Sequence, residues 1–236
     1  MNMSTPSVTG ATAACALRCE TEASYNLFHP SPPMQRRALL ASVVAPLLFG
    51  TAAHAQTAAE PAGVPYPAAA AVGGSSLALN GAGVRYKLVF KVYTAGLYLP
   101  QRANTPEAVL AMPGPKRMHV VMLRDIDANE LGRLFTRGME DNAPPQHWVQ
   151  SIPGTLRMAD IFSARKKLVA GDNFSVDYVP GVGTTVFVNG KSAGEPIREP
   201  EFFSSLLSIW LGPRPADAAL KDALLGREPR PAGSRQ

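Results

Sequence analysis

Arg85 is the residue whose chemistry depends most on where the fold places it. It ends the run Gly81-Ala82-Gly83-Val84-Arg85. A buried arginine requires an anion, and a ligand carboxylate would meet its planar fork with two parallel hydrogen bonds. Simple strand alternation favours another interpretation, because Arg85 then shares a face with Lys87 and Lys91, as on a solvated strand surface. A bulge at the two glycines would re-aim the side chain, which is a structural prediction.

The other reactive side chains do not form a recognisable site. His119 and His147 are the two histidines after residue 55, and their spacing is not that of a metal pair or a zinc-protease helix. We therefore predict no metal and no cofactor. His119 falls within a predicted strand, and His147 follows two prolines in a predicted surface loop. Ser204 and Ser205 lack the Gly-x-Ser-x-Gly context, so a serine hydrolase is not predicted.

The elements that must position Arg85 begin with strands. Leu77 to Gly81 predicts a strand and a turn, and Val84 to Leu99 predicts a half-buried strand pair closed by Pro100. In that pair the apolar residues at period two, which we expect to point inward, are Val84, Tyr86, Leu88, Phe90 and Val92. A further strand is predicted over Met118 to Leu123.

Helices are predicted between and after the strands. Thr105 caps a short helix, and Asp127 to Glu130 has the form of a capping box before a second helix. A third is predicted between Thr155 and Val169, and two more follow Pro200 and Pro215.

The clearest sheet signal is the alternating segment Phe174 to Tyr178, which turns at Pro180 to Gly183 into Thr184 to Val188. Asn189-Gly190, which follows Val188, is a strong hairpin turn. In this order the strands come first and most of the helices come later, which predicts an α+β domain.

The start of the chain has the pattern of an export signal. Arg36 and Arg37 precede an apolar run over 38–49, and Ala53-His54-Ala55 resembles a cleavage site. The run is about a dozen residues, whereas a membrane-spanning helix needs roughly 20. We therefore expect cleavage after Ala55 and a periplasmic protein, exported by the general or the twin-arginine route.

The predicted organisation follows from this boundary. Residues 1–33 are an upstream extension, 34–55 the signal peptide, 56–72 a flexible Ala/Pro-rich leader, 73–226 the folded domain and 227–236 a disordered tail. Both cysteines, Cys15 and Cys19, precede the predicted start at Met34, so the mature chain has none.

The charge of the mature chain argues against a nucleic-acid partner. The first 55 residues contain three basic and two acidic side chains, which leaves 20 and 16 and a net charge of +4. The basic residues are scattered rather than clustered with aromatic residues. Gln56 at the first mature position offers no lipid attachment, so we also predict no membrane anchor.

Several motifs together resemble the chalcone isomerase family. Gly81 to Arg85 and Thr94 to Leu99 look like its paired N-terminal motifs. Further glycine-containing motifs resemble its bacterial, exported chalcone-isomerase-like branch, and these are Gly171-Asp172, Gly183-Thr184, Asn189-Gly190, Ile209 to Gly212 and Leu224 to Gly226. The resemblance covers roughly residues 73–226.

The resemblance implies an open-faced β-sandwich, with a large antiparallel sheet, helices on one face and a cleft between them. Plant members cyclise chalcones, and relatives without that reaction bind fatty acids. Arg85 matches the family arginine, and the family threonine falls on Tyr93 or Thr94. The family tyrosine is absent from 127–135, where Leu131 stands nearby, and Gly138 stands near the position of the family asparagine.

Three functions follow as hypotheses. We favour a binder of a small amphipathic or aromatic ligand, such as a fatty-acid carboxylate, held by Arg85 with Tyr93 or Thr94. The second is an isomerase that uses Arg85 to stabilise an enolate or phenolate. The third is an envelope protein whose Phe202, Phe203 and Trp210 form a partner patch, a hypothesis that burial of these rings decides.

Overall fold

A seven-stranded antiparallel sheet organises the computed structural model, which describes residues 57–227. The predicted upstream extension, the signal peptide and nearly all of the C-terminal tail lie outside these residues. The strands of the described part are β1 (Thr57–Ala59), β2 (Tyr66–Pro67), β3 (Ala69–Val72), β4 (Ser75–Lys87), β5 (Phe90–Leu99), β6 (Lys116–Met122), β7 (Ile126–Asp127), β8 (Lys167–Leu168), β9 (Asn173–Val179), β10 (Gly183–Val188) and β11 (Lys191–Ser192).

The large sheet has the order β11-β10-β9-β6-β5-β4-β3, and every neighbouring pair is antiparallel. Strands β1 and β2 form a small sheet of their own, as do β7 and β8. The hairpin predicted at Asn189-Gly190 is confirmed, with φ of 50° and 75° at its two turn residues.

Five helices accompany these strands in the described range, and they are α1 (Pro106–Ala111), α2 (Ala128–Asn142), α3 (Pro145–Ser163), α4 (Phe202–Leu211) and α5 (Ala218–Leu224). The predicted caps are present, because Thr105 accepts from the Ala108 N–H and Asp127 from the Glu130 N–H. Helix α3 starts earlier than predicted. The prediction of a loop around His147 is wrong, since Pro145 occupies the first helical turn, where its missing N–H is no loss.

Helices α2, α3 and α4 cover one face of the sheet and enclose the main core. Phe135 contacts Phe162, Phe174 and Trp210 edge-to-face, with centroids 5.7 to 6.0 Å apart. Phe202, Phe203 and Trp210 are at most 4 % exposed. The hypothesis that these three rings form an exposed partner patch is therefore wrong, whereas the α+β architecture with helices on one face of an antiparallel sheet is confirmed.

The residues predicted as a flexible leader are folded. Strands β1, β2 and β3 lie within residues 57–72, and Tyr66 is completely buried in a second cluster with Leu77, Leu79 and Tyr98. A Cβ on Gly96 would lie 2.4 Å from the Tyr66 ring, so the glycine makes room for it. The leader prediction is wrong for 57–72 because backbone pairing and one aromatic anchor outweigh an Ala/Pro-rich composition.

The predicted inward face of the β4–β5 hairpin is also corrected. Leu88 and Val89 form its turn, and Leu88 has a φ of 57°. Leu88 and Phe90 were expected in the core from their alternation, but they are 89 % and 56 % exposed. No helix among the described residues is long and apolar enough to span a membrane.

Candidate functional site

An extra residue in β4 determines where Arg85 points. The β4–β5 register shifts between Leu79 and Gly81, which leaves Asn80 as a bulge. The Asn80 side chain donates to the carbonyls of Ala103 (2.9 Å) and Leu224 (2.7 Å) and accepts from the Ala103 N–H (2.8 Å). The predicted bulge is therefore present, one residue before the first glycine.

The bulge reverses which strand positions face the helices. Leu79 belongs to the cluster around Tyr66, whereas Gly81 and Gly83, further along β4, face helix α5. A Cβ on Gly81 would lie 2.0 Å from the Ala223 carbonyl oxygen, and one on Gly83 would lie 2.7 Å from the Ala223 side chain. The glycines thus allow α5 to approach β4, and Arg85 continues on the same face toward the helical layer.

Arg85 lies over Tyr93, its direct partner on β5. The guanidinium carbon is 5.4 Å from the centre of the Tyr93 ring, a cation–π arrangement. Its Nε is buried without a hydrogen-bond partner, and no described carboxylate forms an ion pair with this side chain. A buried cationic donor without a partner is unfavourable, so this atom is suited to an anionic acceptor.

The Tyr93 hydroxyl is held in place and retains its proton for a ligand. Tyr93 is 2 % exposed, and its oxygen accepts a 2.8 Å hydrogen bond from the Trp210 indole N–H. Burial raises the pKa of Tyr93 to about 12; Arg85 and the Trp210 hydrogen bond oppose this increase, and Asp217 adds to it. At neutral pH the hydroxyl is therefore a donor rather than a base.

A cavity of about 170 Å³ opens beside this pair. Its walls come from β4, β5, α2, α4 and the loop before α5, and its apolar surface is formed by Leu131, Leu134, Phe135, Ile209 and Ala216. Arg137, Asp141, Asn142 and Arg214 contribute further polar lining. The cavity thus combines the Arg85 guanidinium, one buried hydroxyl, an apolar wall and the further charges of Arg137, Asp141 and Arg214.

Arg85 also lines a second, more polar depression of about 260 Å³. Leu134, like Arg85, lines both spaces. The depression contains charges of both signs, from Lys87, Arg124, Asp125, Asp127 and Glu130. Arg85 therefore stands between a polar depression on one side and an apolar-walled cavity on the other.

The predicted site residues separate onto two faces of the sheet. Tyr93 shares the helical face with Arg85, whereas Thr94 lies on the opposite face, where its hydroxyl and that of Tyr66 are 2.8 Å apart. Burial raises the pKa of Tyr66 above its ordinary value, which keeps this hydroxyl protonated too. Of the two alternatives for the hydroxyl beside Arg85, the geometry selects Tyr93, and Thr94 is remote from the cavity.

A family model described as chalcone isomerase-like matches residues 58–226. The chain belongs to the chalcone isomerase-like family. A solved structure of a fatty-acid binding protein from Arabidopsis thaliana has a similar fold, with a TM-score of 0.52 and 15 % sequence identity, over 69 % of this chain and 92 % of that one. No curated protein matches the chain in sequence.

Leu131 and Gly138 give this chalcone isomerase-like site its apolar character. They stand near the positions where the resemblance implies a tyrosine and an asparagine, and both line the cavity. A Cβ on Gly138 would lie 3.2 Å from Ile209, so the glycine lets α2 approach α4 closely. The resemblance implies a tyrosine and an asparagine in the wall that faces Arg85. This chain has the isobutyl side chain of Leu131 near the first position, and near the second it has Gly138, where α2 and α4 are in close contact.

The remaining candidate residues have structural partners. His119 packs edge-to-face against Tyr66 at 5.8 Å, and the Nδ1 of His147 is 3.2 Å from a Glu201 carboxylate oxygen. The hydroxyls of Ser205 and Ser151 are 2.9 Å apart in the core. Among residues 57–227 no group of three or more histidine, cysteine or acidic side chains could hold a metal ion.

Trp210 is the residue of the candidate site that the sequence did not indicate. Its hydrophobic spacing in α4 predicts a core position, which is correct, but the ring also positions the Tyr93 hydroxyl. A buried indole N–H requires a hydrogen-bond acceptor, so the sequence indicates that Trp210 has a buried polar partner. The acceptor could not be identified, because it lies 117 residues away in sequence.

Proposed function

We propose that this protein binds a small amphipathic carboxylate, such as a fatty acid, with Arg85 as the counter-ion. The observation that carries the proposal is the buried Nε of Arg85, which has no acceptor among the described residues. A carboxylate supplies the missing acceptor and matches the planar fork of the guanidinium.

Tyr93 provides the second contact in this proposal. Its oxygen is already fixed by the Trp210 indole, and its own proton is available at neutral pH. A hydrogen bond from a neutral donor to a charged acceptor contributes about 1.5–3 kcal/mol. The two groups together favour an ionised carboxylate over an alcohol of the same size.

The surroundings of Arg85 orient an amphipathic ligand. The carboxylate would lie at the Arg85 guanidinium and the Tyr93 hydroxyl, and the apolar tail would point toward Leu131 and Phe135. The apolar-walled cavity, at about 170 Å³, is smaller than the roughly 300–1,000 Å³ typical of ligand pockets. We therefore expect a preference for a short or medium tail. The fatty-acid binding protein with the similar fold supports the ligand class.

The direct test compares a carboxylate with its matched alcohol. Trp210 reports on the site, and a Trp148→Phe background leaves it as the single tryptophan, since the chain has two. We expect octanoate to change Trp210 emission at concentrations at least tenfold lower than octanol does. Arg85→Met should abolish this preference, and Tyr93→Phe should weaken octanoate binding by about tenfold or more. Longer fatty acids define the length limit.

Lys87→Met is the matched control, because Lys87 is an exposed cation two residues along β4 and lines only the polar depression. It should retain the preference for octanoate. Arg85→Met should melt at or above the wild-type temperature, since it removes an unpartnered buried donor. Equal loss of binding in Arg85→Met and Lys87→Met would refute a specific role for Arg85.

An isomerase remains the second candidate, because a cation and a protonated hydroxyl could also stabilise an enolate oxygen. An isomerase would convert its ligand to a product, whereas a carboxylate binder would not. Incubation with a chalcone would give a flavanone at a rate that depends on Arg85 and Tyr93. Mass spectrometry of lipid retained by the natively purified protein, together with chalcone absorbance, separates the two functions.

We also propose that the protein is exported to the periplasm, as a member of a bacterial, exported branch of the family. The n-, h- and c-region order over 36–55 supports this, as does a family match that begins at residue 58. Intact-mass measurement of protein from a periplasmic extract should give a chain that begins at Gln56. A chain of unprocessed mass confined to the cytoplasm would contradict the proposal.

A further inference from the structure

The tip of the β4–β5 hairpin exposes an unusual concentration of apolar side chains. Tyr86, Leu88, Val89 and Phe90 are 43, 89, 82 and 56 % exposed. Four neighbouring apolar residues at a turn gain little from folding, because their side chains remain in water. Such an exposed patch is typical of an interaction site.

The backbone of the turn strengthens this argument. Leu88 adopts a φ of 57°, a region in which a bulky side chain is strained and in which hairpins normally use glycine, asparagine or aspartate. The Asn189-Gly190 hairpin in the same sheet uses those residues. A leucine that is both strained and 89 % exposed does not stabilise the fold, so its presence indicates a function.

The charges around the tip determine its partner. Lys87 and Lys91 flank Leu88, Val89 and Phe90, and the Arg124 guanidinium carbon lies 5.1 Å from the centre of the Phe90 ring. The chain contains no acidic residue between Glu60 and Glu107, and in the described structure none of these three cations forms an ion pair. The nearby carboxylates of Asp125, Asp127 and Asp217 are occupied by Lys167 or by backbone N–H groups, and Glu130 lines the depression beside the collar. An apolar tip within a basic collar matches a bilayer surface that carries anionic lipid.

We infer that the β4–β5 hairpin tip inserts into an anionic lipid surface and places the Arg85 site at that surface. Lys87 and Arg124 line the same depression as Arg85, so the collar and the polar side of the site are continuous. Docking would bring this depression to the headgroup layer, where carboxylates are exchanged. The exchange part of the inference rests on the proposed function, whereas the docking part does not.

Vesicle flotation of the mature chain tests the docking. Neutral phosphatidylcholine vesicles are compared with vesicles that contain phosphatidylglycerol. We expect binding to the anionic vesicles, weakened roughly 25-fold in the double variant Lys87→Gln and Lys91→Gln, at about fivefold for each charge. The tip variant, Leu88→Gly with Val89→Ser, should lose more than about tenfold. It should keep or raise its melting temperature, because glycine suits the positive φ.

The matched control is Val149→Ser with Leu156→Ser on α3, which removes two side chains that are 63 % and 62 % exposed. It should bind anionic vesicles like the wild type. Wild-type protein that does not float with anionic vesicles, or a tip variant that binds them unchanged, would overturn the inference. Octanoate binding in vesicle-free solution is measured separately, so failure of docking and failure of the carboxylate site give different results.

Discussion

Two adjacent residues show how one strand position decides chemistry. Tyr93 and Thr94 both carry hydroxyls and both are buried, yet they face opposite sides of the sheet. The Tyr93 oxygen is held by an N–H donor, which leaves its proton available to a ligand. The Thr94 hydroxyl forms a hydrogen bond with Tyr66 instead. The side of the sheet, rather than the residue type, makes one of them a candidate ligand contact.

His119 makes stability depend on pH. Burial, assisted by Arg117 and partly offset by Asp177, lowers the pKa of His119 to about 4, below the ordinary 6.5. Between these values the unfolded chain binds a proton at this residue that the folded chain does not. Acidification from pH 6.5 to 4 therefore lowers the free energy of unfolding, by up to about 3 kcal/mol from this group.

The variant His119→Phe tests this prediction, since it keeps an aromatic edge against Tyr66 and removes the titrating nitrogen. Urea unfolding at pH 7 and at pH 4.5 should show a smaller loss of stability in the variant than in the wild type. Equal losses in the two proteins would mean that His119 does not titrate differently in the folded and unfolded states.

At the scale of elements, the Asn80 bulge connects the packing of α5 to the direction of Arg85. Asn80→Ala removes three side-chain hydrogen bonds, and it leaves the part-buried backbone groups of Ala103 and the buried carbonyl of Leu224 without these partners. We expect the free energy of unfolding to fall by about 3 kcal/mol. We also expect weaker octanoate binding, because a regular β4 would turn Arg85 away from the cavity.

Chemical unfolding and ligand titration measure the two effects of Asn80→Ala separately. Asn129→Ala is the matched control, since Asn129 is exposed in the first turn of α2. It should stay within about 0.5 kcal/mol of the wild type. Octanoate affinity at the wild-type level in folded Asn80→Ala would show that the bulge does not direct Arg85.

The elements differ in how far the sequence predicts them. The caps at Thr105 and Asp127 and the turn at Asn189 were predictable, because each depends on a few neighbouring residues. The bulge was predicted from glycines, although the residue that forms it is Asn80, whose partners are 23 and 144 positions away. The turn at Leu88 was not predictable, since its residues contradict normal turn preferences.

In the candidate site too, the features that depend on neighbouring residues were predictable and those that depend on distant segments were not. Arg85 was identified from a local motif, and Tyr93 was one of two alternatives that only the register of β4 and β5 separates. The apolar wall of α2 and the Trp210 contact depend on how distant segments meet. A pattern of residue types indicates which segments are helical, but it does not determine which side chain reaches a hydroxyl across the core.

At the scale of the whole molecule, the sheet is protected on both faces by different means. Helices cover the face that carries Arg85 and Tyr93, and the N-terminal segment around Tyr66 covers part of the other. Strand β5 contributes to both clusters, with Tyr93 on one face and Tyr98 on the other. Loss of the N-terminal segment should therefore affect the strand that holds the candidate ligand contact.

A chain beginning at Gly73 tests this dependence against a chain beginning at Gln56. The shorter chain lacks strand β3 at the sheet edge and Tyr66, and it exposes Leu79 and Tyr98. Removing a large buried aromatic side chain alone costs about 3–5 kcal/mol, so we expect the shorter chain to aggregate or to unfold without a cooperative transition. The single variant Tyr66→Ala should lower the free energy of unfolding by about that amount. A chain from Gly73 that melts like the longer one would mean that the second face of the sheet needs no cover.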